Sequence, residues 1–330
     1  MELISVHLYP FKGGQPALEN GEPLDALYAT TLGPECSGVR DRELFACAPN
    51  AQGELTVVTS RGWDTSTGPK TVHDQDSSLA TLQTDILRYR NVLLTAPNIG
   101  SVAINLQDHD EETRVRRLQP EPVAIHGGTM WGFDVGDESA GLLSEILGRP
   151  VRVMKTDHRK PRQKADGTRR RVLAADGHPY LLTNQGSLDA LNLELAVQEG
   201  EGWNPVPMRQ YRPNIVIRGK SFLEDTIARI RIGQAVFKVV SASERCIVTN
   251  VDEAGGRTVK GLRVLRPHTG IKLDEAGEPL THKASPLFGV NMRAESLDGE
   301  GRVRIRPKHS KIAVEEISEH PNARLRHSSM

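Results

Sequence analysis

The chain is short of aromatic residues, at 4% of its 330 positions, and holds only three cysteines, Cys36, Cys47 and Cys246. So few aromatics leave little for a surface on which nucleic-acid bases stack. The cysteines form no CxxC pair and leave one odd thiol, which fits a reducing compartment better than a disulfide-stapled exported fold. Charge of one sign is lacking too: 42 basic and 42 acidic residues cancel, so no global field points to nucleic acid or an anionic membrane. No apolar run approaches the roughly 20 residues that span a bilayer. Met1–Tyr9 alternates like a strand, without the basic and apolar regions of a secretory signal. The expectation is a cytoplasmic protein with neither a nucleic-acid nor a membrane partner.

Familiar catalytic signatures are missing as well. Gly219-Lys220-Ser221 ends like a phosphate-binding loop, but Asn214 stands where its first glycine belongs, within a segment that reads as a buried strand. There is no GxGxxG after a strand, no GxSxG elbow and no HExxH or Cys/His zinc spacing.

What is present reads as strands. Residues 2–8, Leu44–Cys47, Leu55–Thr59, Asn91–Thr95 and Ser101–Asn105 are short apolar runs broken by turns. Asp137–Leu147 has helical spacing, an acidic start and a Gly148-Arg149-Pro150 stop. Val151–Met154, Tyr180–Thr183, Ile215–Ile217 and Cys246–Thr249 read as further strands, Ser187–Gln198 as a helix, and Arg229–Val240 as a hairpin. Between them, residues 155–171 carry Lys155, Arg159, Lys160, Arg162, Lys164 and Arg169–Arg171. They read as a loop, either a solvated surface or a dock for an acidic redox partner. At this length two domains are expected.

Cys246 is the residue to explain. An isolated cysteine is ordinarily a small core residue, but a thiolate is also a soft metal ligand, and the neighbouring Arg245 favours the thiolate. Its context is Ser243-Glu244-Arg245-Cys246-Ile247-Val248-Thr249-Asn250-Val251-Asp252. Upstream stand Arg212-Pro213-Asn214-Ile215-Val216-Ile217 and Glu224-Asp225, and downstream Ser285-Pro286-Leu287-Phe288-Gly289.

In this order and spacing the string resembles the MOSC family, named for the C-terminal domain of molybdenum-cofactor sulfurase. Within it, the resemblance is to proteins that bind molybdenum cofactor and reduce N-hydroxylated compounds. It is strongest from Asp176 to Gly289, and Tyr9-Pro10-Phe11-Lys12 is similar to the Tyr-Pro-x-Lys opening of the associated N-terminal β-barrel domain. The implied fold is mainly β (α+β). It comprises a β-barrel-like domain over residues 1–150, a MOSC β-barrel over 151–306 and a polar tail over 307–330.

The resemblance also implies a site. Lys12 would reach the phosphate of molybdopterin, with Gly13 where a serine is usual. Arg42 would contact the pterin, as would Arg212 and Asn214, while Arg245 flanks the metal-binding cysteine. Asp176 and His178 belong to a cofactor-lining Asp-x-x-Pro loop, and His178 is the one candidate proton donor. Asn291 stands where some relatives place a tyrosine near the metal. Cys246 would coordinate molybdenum and be the catalytic residue. The implied reaction takes an N–OH group to N–H. No cysteine follows Cys246 to build an iron–sulfur cluster, so electrons would come from a separate ferredoxin, flavodoxin or reductase. No lysine context for pyridoxal phosphate is visible. The alternative is a sulfur carrier with a persulfide on Cys246, serving cofactor sulfuration.

Overall fold

The computed structural model describes the chain outside residues 59–73, 108–118, 126–127, 161, 165–168, 171, 201–202, 253, 257–259, 274–275, 281–282, 320–322 and 326–330. The side chains of residues 74–77, 164, 169–170 and 323–325 also lie outside the description. The architecture is mainly β with a few helices, as the sequence leads one to expect.

In the first half, Leu44–Pro49 lies between Leu55–Val57 and Arg152–Thr156. Arg152–Thr156 pairs with Gly128–Asp134, which pairs with Glu121–Ile125. A bridge from Ala124 to Thr56 closes this ring of five strands. Closure leaves no free edge within the ring. Side chains alternate across Leu44–Pro49: Phe45 and Cys47 fill one cluster with Val123, Ile125, Met130 and Met154. Leu44, Ala46 and Ala48 face the other way, onto Val92, Leu94, Ile104 and Leu143. A strand buried on both faces must be apolar throughout, which is why this one reads as a continuous run. Helix Asp137–Leu147 forms as expected, with Gly148 at φ 62° closing its C-terminus.

The second half is built on Tyr180–Asn184, which runs parallel to Ile215–Arg218. A parallel pair needs a crossover, and helix Gln185–Glu199 supplies it. The Asn184 side chain caps the helix by accepting from the Gly186 N–H at 3.0 Å. Leu188, Leu191 and Leu195 bury one stripe of it against Tyr211 and Phe288. Ser285–Ser296 and Ala235–Glu244 extend the sheet, and Arg229–Ile232 meets Ala235–Lys238 through a two-residue turn with Gly233 at φ 61°.

The halves exchange strands. Glu2–Val6 pairs with Ile215–Arg218, and Arg302–Ile305 pairs with Leu27–Thr30. Strand pairing also carries the first-half sheet through Arg162–Lys164 to Arg169–Arg170, beyond residue 150. Residues 312–317, read from sequence as part of a polar tail, form strand Ile312–Ile317 beside Ile227–Ile232. It is an edge strand, open to solvent, and its charged residues suit that position. Among the described residues, no helix is long and apolar enough to cross a membrane.

Candidate functional site

Cys246 follows strand Ala235–Glu244, but the strand expected over Cys246–Thr249 is not there. The chain leaves the sheet, and Cys246 instead caps a short helical turn over Ile247–Asn250. The Cys246 carbonyl accepts from the Thr249 N–H at 3.0 Å and from its hydroxyl at 2.8 Å. Those two bonds favour a turn over the β-branched residues' preference for a strand. On the other side, the Arg245 N–H donates to the Pro286 carbonyl at 2.9 Å. Cys246 is half-buried, whereas Cys36 and Cys47 are buried and burial pushes their thiols up to about 12. Of the three sulfurs, only that of Cys246 is placed to meet a ligand.

It opens on a cleft of about 1060 Å³. Lys12, Gly13 and Arg42 line it from the first half, and Asp176, His178, Arg212, Asn214, Arg245 and Asn291 from the second. The structure thus brings all ten residues nominated from sequence to one cavity. Among the described residues its wall carries six cationic side chains, Lys12, Arg42, Arg162, Arg212, Arg245 and Lys272, against two carboxylates, Asp176 and Glu244. In a chain of zero net charge this is a local concentration that suits an anionic ligand.

The cations are held in distinct ways. Lys12 Nζ donates to the Ala174 carbonyl at 2.8 Å and meets Asp176 Oδ1 at 2.5 Å. Burial lowers the Lys12 pKa, with Asp176 opposing the shift. Arg42 pairs with the buried Asp41. Burial works against its charge, but the Asp41 pair outweighs it and raises its pKa. Among the described residues Arg212 has no carboxylate partner: Nη1 donates to the Gly13 carbonyl at 3.1 Å, and Nη2 is buried with no hydrogen-bond partner. Burial, and then the neighbouring Arg42 charge, pull the Arg212 pKa down to about 10. Arg245 reaches Ser243 Oγ at 3.1 Å and the Tyr211 carbonyl at 2.7 Å, and burial lowers its pKa too. Both Arg42 (φ 51°) and Arg212 (φ 54°) adopt left-handed backbone, a strain that collects at functional sites.

Sequence reasoning missed three residues. Asp41 Oδ1 accepts from the Tyr9 N–H at 2.8 Å and from Asn214 Nδ2 at 3.1 Å. The Tyr9 ring packs against both arginines, with Arg212 Cζ 4.6 Å and Arg42 Cζ 5.3 Å from its centroid. Tyr9 stands inside the Tyr9-Pro10-Phe11-Lys12 motif already quoted, and Asp41 directly precedes the nominated Arg42. Arg162 is different. Its guanidinium donates to the Ala175 carbonyl at 2.8 Å and the Ile125 carbonyl at 3.2 Å, bracing the loop that carries Asp176. Nothing in the sequence separated it from the basic stretch around it.

That stretch is not a uniform surface patch. Lys155 and Arg162 are 2% and 4% exposed, on strands Arg152–Thr156 and Arg162–Lys164. Arg159 pairs with Asp157 at 2.8 Å. The side chains of Lys164, Arg169 and Arg170, and the whole of Arg171, lie outside the described residues.

Asn214 lines the cleft but is bound up in the protein. Its Oδ1 accepts from the Leu181 N–H at 3.1 Å while its Nδ2 reaches Asp41. Asn291 Nδ2 donates to Ser241 Oγ at 3.2 Å and the Ala242 carbonyl at 3.1 Å.

Compared with protein families, the MOSC domain model matches from Arg169 to Pro307. Residues 169–307 form a MOSC domain. The chain is 28% identical over 189 residues to mitochondrial amidoxime-reducing component 1 of Mus musculus, covering 55% of this chain and 52% of that one. It therefore spans about half the length of that relative. It is 24% identical over 307 residues to mitochondrial amidoxime reducing component 2 of Macaca fascicularis, covering 88% and 78%. A shorter likeness, 27% over 158 residues, is to molybdenum cofactor sulfurase of Drosophila grimshawi, covering 47% of this chain and 19% of that protein. The MOSC domain contributes Cys246, Arg245, Arg212, Asn214, Asn291, Asp176 and His178 to the cleft, while Lys12, Gly13 and Arg42 come from outside it.

Proposed function

We propose that the cleft holds molybdenum cofactor and that the protein reduces N-hydroxylated compounds to N–H products. The observation that carries this reading is the single half-exposed thiol of Cys246 opening on a cleft lined, among the described residues, by six cations and two carboxylates. The unpartnered Nη2 of Arg212 fits it too, since a buried donor without an acceptor suits a site completed by a ligand. Among the described residues no group of three His, Cys, Asp or Glu could hold a metal. A metal bound through Cys246 would bring its other ligands with it, as molybdopterin does with its dithiolene sulfurs. The names of the amidoxime-reducing relatives support the reaction.

When bound, the cofactor supplies the two-electron chemistry, and the protein supplies position and charge. Cys246 offers the thiolate. Lys12 offers a point charge to a phosphate, and Arg212 and Arg245 offer planar donors to anionic or ring oxygens. Arg42, fixed by Asp41, adds a second guanidinium beside Arg212. Removing the hydroxyl oxygen as water takes two electrons and two protons, and His178 on the cleft wall is the candidate donor of a proton. The electrons come from a separate ferredoxin, flavodoxin or reductase.

The test is the molybdenum and pterin content of purified protein, wild type beside Cys246→Ala, followed by assay of amidoximes and N-hydroxylated bases. Near-stoichiometric molybdenum, with its thiolate signature lost in the variant, is the expected result. Protein free of molybdenum from a cofactor-competent host would end this reading. The likeness to molybdenum cofactor sulfurase favours a second one, sulfur transfer through a persulfide on Cys246. Sulfane sulfur without molybdenum would identify it.

A further inference from the structure

Asp176 is placed unlike the other charged residues of the cleft. Its carboxylate meets Lys12 Nζ at 2.5 Å, yet its side chain is 61% exposed while that of Lys12 is 8% exposed. Its charge also acts on all four of Lys12, Arg42, Arg212 and Arg245. The carboxylate therefore stands where the cationic side chains converge. It reaches there from a loop whose backbone is anchored independently. The Ala174 N–H donates to the Arg42 carbonyl at 3.1 Å, Lys12 reaches the Ala174 carbonyl, and Arg162 holds the Ala175 carbonyl. The loop can keep its course while the exposed side chain turns away.

An anion arriving at Lys12 would meet Asp176 already there, and two like charges cannot share one ammonium group without repulsion. We infer that Asp176 is a resident counter-ion, occupying the anion subsite at Lys12 until a phosphate-bearing ligand displaces it. On this inference Asp176 weakens binding of that ligand instead of contributing to it, the opposite of a ligand's role. It neutralises Lys12 in the cofactor-free chain and leaves when the anionic ligand arrives. The inference rests on the cofactor-binding reading for the identity of the ligand, though not for the existence of the anion subsite.

The test uses the full chain purified from a host that makes no molybdenum cofactor, titrated calorimetrically with inorganic phosphate. Asp176→Asn is expected to bind phosphate about fivefold more tightly than wild type, the effect of one unit charge at contact distance in a largely hydrated setting. Raising the salt concentration should shrink the gain. Asp176→Glu should behave like wild type, and Lys12→Met should abolish the gain in the double variant. Thermal unfolding of each variant, with Asp176→Ala as a second substitution, shows whether folding is intact. A purely structural role would not strengthen phosphate binding. Equal or weaker binding by both substitutions would overturn the inference. So would a gain that survives Lys12→Met, or no measurable phosphate binding by any variant. A parallel arm compares cofactor content from a competent host, separating the phosphate of the pterin from free phosphate. Failure of the cofactor reading would appear there as wild-type protein without molybdenum, whatever the phosphate titration shows.

Discussion

Asp41 and Asn214 meet through a 3.1 Å hydrogen bond that spans 173 residues of chain. The same carboxylate accepts the Tyr9 N–H and pairs with Arg42, so one buried group ties three separate segments at the floor of the cleft. Removing it leaves the Asn214 amide only its longer bond to the His7 carbonyl at 3.4 Å, and takes the Asp41 acceptor from the Tyr9 N–H and the Asp41 counter-ion from Arg42. Asp41→Ala is expected to cost about 3–5 kcal/mol, the range for breaking a buried pair from one side. Urea unfolding measures it. A loss under 1 kcal/mol would mean that the tie is not what holds these segments.

Arg212 should show the reverse balance between stability and binding. Its charge is disfavoured by burial and by Arg42, and its Nη2 has no hydrogen-bond partner among the described residues. Replacing such a cation with an apolar side chain of similar length is often neutral or stabilising. Arg212→Met should hold or raise the unfolding midpoint while lowering cofactor content at least tenfold. A variant that unfolds readily but retains cofactor would contradict both halves of this expectation.

Much of the candidate site was readable because its residues sit in local strings. Lys12, Arg42, Arg212 and Cys246 each sit in a short motif, and the fold brings those motifs together. The helix over Asp137–Leu147 was equally legible, since spacing, acidic start and glycine stop all agree. What could not be read depends on contacts between distant segments. Asp41 acquires its role only when Asn214 arrives from the other half. Arg162 looks like any basic loop residue until strand pairing turns it inward. The turn at Cys246 defeated a β-branched run because two hydrogen bonds from Thr249 outweigh local preference. Polar composition hid strand Ile312–Ile317 for a different reason: an edge strand open to solvent lacks an apolar signature.

Glu224 gives the chain a pH dependence. It is 1% exposed, and burial, followed by the nearby Asp225 charge, raises its pKa from 4.5 to about 7. Between those values the folded state holds a proton that the unfolded state has released. Stability from this group is therefore greatest at low pH and falls as pH rises from 4.5 towards 7. Asn184 Nδ2 and Ser187 Oγ both donate to the same oxygen, at 2.9 and 2.8 Å. A glutamine can keep both bonds through its carbonyl oxygen. Glu224→Gln should flatten the fall in denaturant midpoint across this window. A slope unchanged by the substitution would assign it to other groups.

Gly13 stands where the resembling proteins usually have serine, and its backbone explains the departure. Its φ of 97° lies in the region glycine tolerates, and an added Cβ would sit 3.3 Å from Leu79 Cβ. Gly13→Ser would restore a hydroxyl while straining the loop whose carbonyl receives Arg212. A loss of about 1–3 kcal/mol is expected in urea unfolding, from the cost of holding a non-glycine residue there. A serine variant as stable as wild type, with more cofactor, would show that the loop adapts.

Gly261 guards the turn at Cys246 from below. A Cβ on it would clash with the Thr249 carbonyl oxygen, and Thr249 is the residue whose N–H and hydroxyl hold the Cys246 carbonyl. The Gly261 carbonyl also accepts from the Tyr211 hydroxyl at 2.8 Å, while the Tyr211 carbonyl receives Arg245. Any shift that admits a methyl group therefore moves the backbone on which both Cys246 and Arg245 depend. Gly261→Ala should lower stability by about 2 kcal/mol or more, as overpacking against backbone does, and should reduce bound molybdenum with it. Gly141 provides the contrast, because it lies mid-helix in Asp137–Leu147 with nothing among the described residues within 4 Å of an added Cβ. Gly141→Ala should raise stability by about 0.5–1 kcal/mol through helix propensity alone and leave molybdenum content unchanged. If both alanines had the same effect, the turn at Cys246 would owe nothing to the space that Gly261 leaves free.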